Sequence, residues 1–211
     1  MKTIDLTHTL GPDMPVFPGS KAPEITCLAR VEQDGYFVHE VSFNTHNGTH
    51  IDSPAHILSE GRTLDRLPIG QFVGKGMVID LTNFNKSKVD IIDLKPYEEN
   101  IKKSEFILFH TGWSGYWGEE KYFNDFPVLS IECAHWLSNF ELKGIGIDAI
   151  SLDETESTTY SVHKIILKRC CIIENLTNLD QLPASGFIFS CLPMKFEEAD
   201  GSPVRAVAIL L

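Results

Sequence analysis

Residues 46–56 read His46-Asn47-Gly48-Thr49-His50-Ile51-Asp52-Ser53-Pro54-Ala55-His56. Three of the chain's eight histidines and one aspartate fall within these eleven residues, at spacings of 4, 2 and 4. Imidazole nitrogen and carboxylate oxygen form a ligand set for Zn²⁺ or Mn²⁺. On a straight strand all four groups share one face. At roughly 3.3 Å per residue, though, that strand would hold His46 and His56 about 33 Å apart. A helix fails because positions two apart point in different directions. The segment must therefore bend, and Gly48 and Pro54 sit where bends are cheap. It reads as a short strand ending in a ligand-bearing loop. The bland alternative is a polar surface loop that happens to be rich in histidine.

Around this stretch, apolar runs with β-branched and aromatic residues recur at 36–44, 76–82, 105–110, 144–150, 171–176, 186–192 and 203–211, and each predicts a strand. Helical spacing is rarer. Residues 131–142 place Cys133, Trp136, Leu137 and Phe140 on one face behind Ser130 as an N-cap, 163–169 is a shorter candidate, and 90–102 a weak one. Strands outnumber helices and alternate with them, so the expected fold class is α/β, with a mixed sheet in one domain over 1–211. Gly11, Pro12, Pro15, Pro18, Gly19 and Pro23 mark a structured loop. Its single aromatic, Phe17, can line a pocket or fill a crevice.

The 211 residues are long enough for a substantial core, and 43% hydrophobic with 22% charged is ordinary for a globular protein. A net charge of −11 argues against nucleic acid or an anionic membrane as partner, because both need clustered Lys and Arg. No apolar run is long enough for a membrane span. The first residues lack the apolar core of a secretory signal. Cys27, Cys133, Cys170, Cys171 and Cys191 are odd in number and form no Cys-x-x-Cys, which speaks against a disulfide framework or a cysteine zinc site. The expected compartment is the cytoplasm.

A catalytic metal usually recruits ligands from a second element. His163 stands at the expected start of a helix, and Glu174 interrupts a strand-like apolar run, where a carboxylate is costly to bury unless paired or metal-bound. For Glu174 the alternative is an outward-facing strand residue, and His163 is equally open to a structural use. His8, His39, His110 and His135 lack ligand-like neighbours and read as structural or exposed. Asp148 and Asp153 follow a strand and are candidates to orient the ligands or to cap a loop.

The pattern His46-x-Gly48-Thr49-His50-x-Asp52-x-Pro54-x-His56 resembles the signature of the cyclase family of metal-dependent hydrolases, which contains bacterial kynurenine formamidases and isatin hydrolases. Asp5-Leu6-Thr7-His8, Met14 to Gly19, His110-Thr111-Gly112-Trp113, and the Gly146-Ile147-Asp148 to Glu174-Asn175-Leu176 stretch extend the resemblance over nearly the whole chain. The resemblance implies a swivelling β/β/α fold, homodimers or homotetramers, and two divalent metal ions per chain, Zn or Mn. It implies His46, His50 and Asp52 on one ion, His163 on the second, and Asp52 and Glu174 bridging both. His56 is then the general acid/base and Phe17 a substrate contact. One departure stands out: the formamidases carry tryptophan where this chain has Phe17.

The expected activity is hydrolysis of a small-molecule amide or formamide by a metal-activated water, nearest to an arylformamidase. A hydrolase of cyclic amides or lactones and a non-catalytic metal-binding protein are the alternatives. A serine hydrolase is disfavoured, because Gly112-Trp113-Ser114-Gly115 lacks the spacing of a nucleophile elbow.

Overall fold

The computed structural model describes residues 1–210, so Leu211, the last residue of the expected strand 203–211, lies outside the described residues. The strands are β1 (Lys2–Asp5), β2 (Glu24–Ala29), β3 (Val38–Ser42), β4 (His50–Asp52), β5 (Val73–Asp80), β6 (Lys88–Val89) and β7 (Phe106–His110). They continue with β8 (Val128–Leu129), β9 (Gly144–Ile147), β10 (Cys171–Glu174), β11 (Ser185–Ser190), β12 (Gly201–Pro203) and β13 (Val207–Leu210). The helices are short: α1 (Val31–Asp34), α2 (Ile91–Leu94), α3 (Glu98–Ile101), α4 (Ile131–Leu137) and α5 (Ser161–Ile166).

Nine strands form one mixed sheet in the order β1-β13-β11-β5-β7-β9-β10-β4-β12. Its centre, β5-β7-β9-β10, is parallel, and both flanks are antiparallel. The alternation along β7 shows how the sheet is buried. Phe106 and Leu108 enter one core with Val78, Ile173 and Phe189, whereas Ile107 and Phe109 enter the other with Met77, Ile145 and Leu137. Both faces are covered, which is why these strands read as unbroken apolar runs. Each such fully buried side chain stabilises the fold by about 1.5–3 kcal/mol.

Several expectations shift in detail. The 90–102 segment is broken into α2, a 3₁₀ turn at Lys95–Tyr97 and α3. Pro96, within that turn, lacks the N–H a continuous helix needs. Ser130 caps α4 as expected, its Oγ accepting from Cys133 N, but the helix stops at Leu137, short of Phe140. The run 203–211 splits between the end of β12 and β13. β1 and β2, absent from the sequence reading, pair with β13 and β3 respectively. All five cysteines are free thiols, and among the described residues no helix is long and apolar enough to cross a membrane.

β2 and β3 form a separate ribbon. All of its residues except Cys27 and Ala29 are exposed. By contrast β4, between β10 and β12, is buried at every residue.

Candidate metal centre

The bend in the 46–56 segment comes from two devices. Gly48 adopts φ +66°, a left-handed conformation that glycine takes without penalty, and directs its carbonyl to accept from His50 Nδ1 (2.8 Å) and Asn175 Nδ2 (2.9 Å). Downstream, the Ser53 side chain caps a 3₁₀ turn over Pro54–His56 by accepting from Ala55 N. Between them, β4 points His50 and Asp52 to one face and Ile51 into the core on the other. The turn brings His56 back over His46, with ring centroids 4.0 Å apart.

Two further elements complete the cluster. β10 pairs antiparallel with β4 so that Glu174 lies opposite His50. α5 contributes His163 from its first turn. His50 Nε2 stands 3.3 Å from Asp52 Oδ1 and 3.5 Å from Glu174 Oε2. His163 Nε2 stands 3.2 Å from Glu174 Oε1 and 3.7 Å from Asp52 Oδ2. His46 donates from Nδ1 to Asp52 Oδ1 (2.7 Å) and from Nε2 to Asp200 Oδ2 (2.9 Å). Two groups of ligand-type atoms result, each within 4.8 Å: His46, Asp52 and His56, and His50, Asp52 and Glu174. Asp52 belongs to both. His50, Asp52, His163 and Glu174 are all buried, so Glu174 does not face outward.

The electrostatics fit a cation. Burial opposes charge on His46 and His163, but carboxylates outweigh it. Asp52 and Asp200 hold His46 up at about 10, and Asp153 and Glu174 do the same for His163. Burial likewise opposes ionisation of Asp52, yet His46 and His50 pull its pKa well below the usual carboxylate value. Protons here supply the positive charge that the carboxylates demand, and a divalent ion competes for the same donor atoms. Asp52 Oδ2 is buried without a hydrogen-bond partner. An ionised oxygen left so in a dry site is costly, and a metal relieves the cost directly.

Asp153 accepts from His163 Nδ1 (2.7 Å), which fixes the ring and turns Nε2 toward Asp52 and Glu174. Asp148 instead accepts from Thr111 N and Gly112 N, both at 2.8 Å, and braces that loop rather than the histidines. Asp200 is the residue the sequence reading missed; Glu-Glu-Ala-Asp-Gly looks like any acidic turn, and no spacing links it to residue 46. Asn175 and Thr49, inside recognised motifs, tie β10 to the turn before β4 through Thr49 Oγ1 donating to Asn175 O (2.5 Å). His39 and His135 are exposed, His110 lies 3.9 Å from Asp80, and His8 stacks on Trp117 at 3.8 Å. None of these four joins the cluster. A cavity of about 360 Å³ opens over the centre, and Phe17 lines it.

The sequence profile of the family described as "Putative cyclase" matches residues 4–154. The chain belongs to this family. An uncharacterized protein from Methanocaldococcus jannaschii is 35% identical over 214 residues, covering 100% of each chain. The kynurenine formamidase of Bacillus cytotoxicus is 31% identical over 209 residues, 97% of this chain and 95% of the relative. Isatin hydrolase A from Ralstonia solanacearum superposes with a TM-score of 0.89 at 26% identity, covering 100% of this chain and 92% of that one. The α/β fold with its large mixed sheet is thus the cyclase-family fold, and the chain is a hydrolase of that family.

Proposed function

We propose that this cyclase-family enzyme is a metal-dependent hydrolase of small amides, with aryl formamides as the first substrate class and cyclic amides or lactones as the second. The observation that carries the reading is the unpartnered Asp52 Oδ2, 3.7 Å from His163 Nε2, on a carboxylate whose Oδ1 lies 3.3 Å from His50 Nε2, beneath a cavity that His50, His163 and Glu174 line. Two Zn²⁺ or Mn²⁺ ions per chain fit the reading. His46, His50 and Asp52 would hold one, His163 would help to hold the other, and Asp52 and Glu174 would serve both. Once bound, a divalent ion supplies Lewis acidity and lowers the pKa of water toward about 7.

The chain's own groups do the rest. The Gly48 carbonyl and the Asp153 carboxylate each accept from a histidine Nδ1, leaving Nε2 of His50 and His163 free to ligate. His56 retains partial solvent access, and burial lowers its pKa, so it is neutral near pH 7 and competent to take a proton. It receives the proton of the attacking water and returns it to the leaving nitrogen. Asp200, bonded to His46 Nε2 at 2.9 Å, orients that ring and lies 3.8 Å from His56 Nδ1. Phe17 offers a flat apolar contact to the substrate.

The reading takes residues 1–211 as one catalytic domain in the cytoplasm, a compartment that suits five free thiols. It includes a second copy of the chain, docked on the β2–β3 ribbon and the connection between its strands, where Leu28, Tyr36 and Phe37 are 59%, 59% and 57% exposed. Sedimentation of the purified protein reads the oligomer directly.

The deciding experiment follows hydrolysis of formanilide and isatin, with the carboxylate-bearing N-formyl-L-kynurenine as a charged comparison and bound metal quantified in the same sample. Turnover that is lost on chelation and restored by Zn²⁺ or Mn²⁺ is expected. Metal-free protein that turns over at the same rate overturns the reading.

A further inference from the structure

The cavity over the cluster has apolar walls from Val16, Phe17, Ile57, Ile150 and Tyr160, and among the described residues no lysine or arginine lines it. Lys21, beside the lining residue Ser20, is tied to Glu24 at 2.7 Å. Lys164, beside His163, is exposed and outside the lining. Negative charge is plentiful. Asp52 and Glu174 lie in the cluster, and Asp153 and Asp200 touch its histidines. Two divalent cations would balance these four carboxylates and leave no surplus for an anionic substrate. A substrate carboxylate entering here would shed its water and find no partner.

Tyr160 stands out in this lining. It holds φ 47° and ψ 49°, a left-handed conformation that bulky side chains avoid. The neighbouring structure pins it there. Its N–H donates to Ser157 Oγ (3.1 Å), and its carbonyl accepts from Lys164 N (2.9 Å). The ring stands edge-on to His163 at 6.3 Å, and the residue lines the cavity. Backbone strain of this kind persists where the surroundings over-determine it, and here it delivers a phenol to the cavity.

We propose that this cavity selects uncharged, ring-bearing amides, lactams or lactones over carboxylate-bearing analogues, and that Tyr160 is a specificity-determining residue, giving the ring a wall and the substrate's polar edge a hydrogen bond. The inference rests on the hydrolase reading, yet binding alone can test it. Calorimetry on the metal-loaded protein compares 4-acetamidobenzamide with 4-acetamidobenzoate, which have nearly the same shape and differ in charge. Hydrolysis compares the corresponding formamides. The neutral member is expected to bind at least tenfold tighter and to show at least tenfold higher kcat/KM. Tyr160→Phe should raise KM for the neutral formamide several-fold with little change in kcat. Ser20→Lys should narrow the preference by improving the carboxylate member. Equal binding of the pair overturns the charge selection, and an unchanged KM in Tyr160→Phe overturns the role of its hydroxyl. Selective binding with neither formamide hydrolysed upholds the selection and overturns the aryl-formamide reading instead, leaving the cyclic substrates.

Discussion

The 46–56 segment and the β2–β3 ribbon are neighbours in sequence with opposite physical situations. In the former, β4 has a strand on each side, and the segment's polar side chains meet groups from α5, β10 and the turn before β12. In the latter, Ile25, Leu28, Tyr36, Phe37, Val38 and Val41 all face solvent. A two-stranded ribbon is marginal on its own in water. One region is held by many parts of its own chain and the other by almost none, so damage to the first should be local and severe, and damage to the second should be felt mainly in association.

The severest break is His50→Ala. Removing a buried nitrogen between Asp52 and Glu174 should strip metal and lower activity by about 10³-fold or more, the scale of several kcal/mol of transition-state stabilisation. Elemental analysis beside turnover checks both. Next, His56→Asn should retain metal while turnover falls by about 10²–10⁴-fold, the usual contribution of a proton-transfer group. Loss of metal in that variant would make His56 a ligand, as its place beside His46 and Asp52 allows. Asp153→Asn, which weakens the grip on His163 Nδ1, should cost about 10–100-fold in metal affinity, read by competition with a chelator. The mildest change lies in the ribbon. Phe37→Ser should alter monomer stability by no more than about 0.5 kcal/mol in denaturant titration while reducing self-association in sedimentation. A large loss of stability would mean that the ribbon is not the independent element its exposure indicates.

The contrast also explains what could be read in advance. The central strands β5, β7, β9 and β10 were legible because burial on both faces leaves apolar runs that nothing else explains. The bend at Gly48 and Pro54 was legible because the ligand spacing fits neither a strand nor a helix. β1 was not, since four residues carry too little pattern, and in β2 alternation has no meaning when both faces are wet. The 90–102 segment misled because helical periodicity survives the interruption at Pro96. Asp200 was invisible for another reason. Its proximity to His46 arises from β12 pairing with β4, a contact across 154 residues that local sequence does not encode.

That pairing has a consequence for the order in which the molecule is made. Gly201 packs so closely on the motif that a Cβ there would lie 2.5 Å from His46 Cε1, so β12 closes over a histidine translated far earlier. On the ribosome, the nascent chain exposes the ligands of β4 long before their last cover emerges. If the cluster holds metal as proposed, secure loading would follow synthesis of residue 203, and metal captured earlier would be held by an open, exchangeable site.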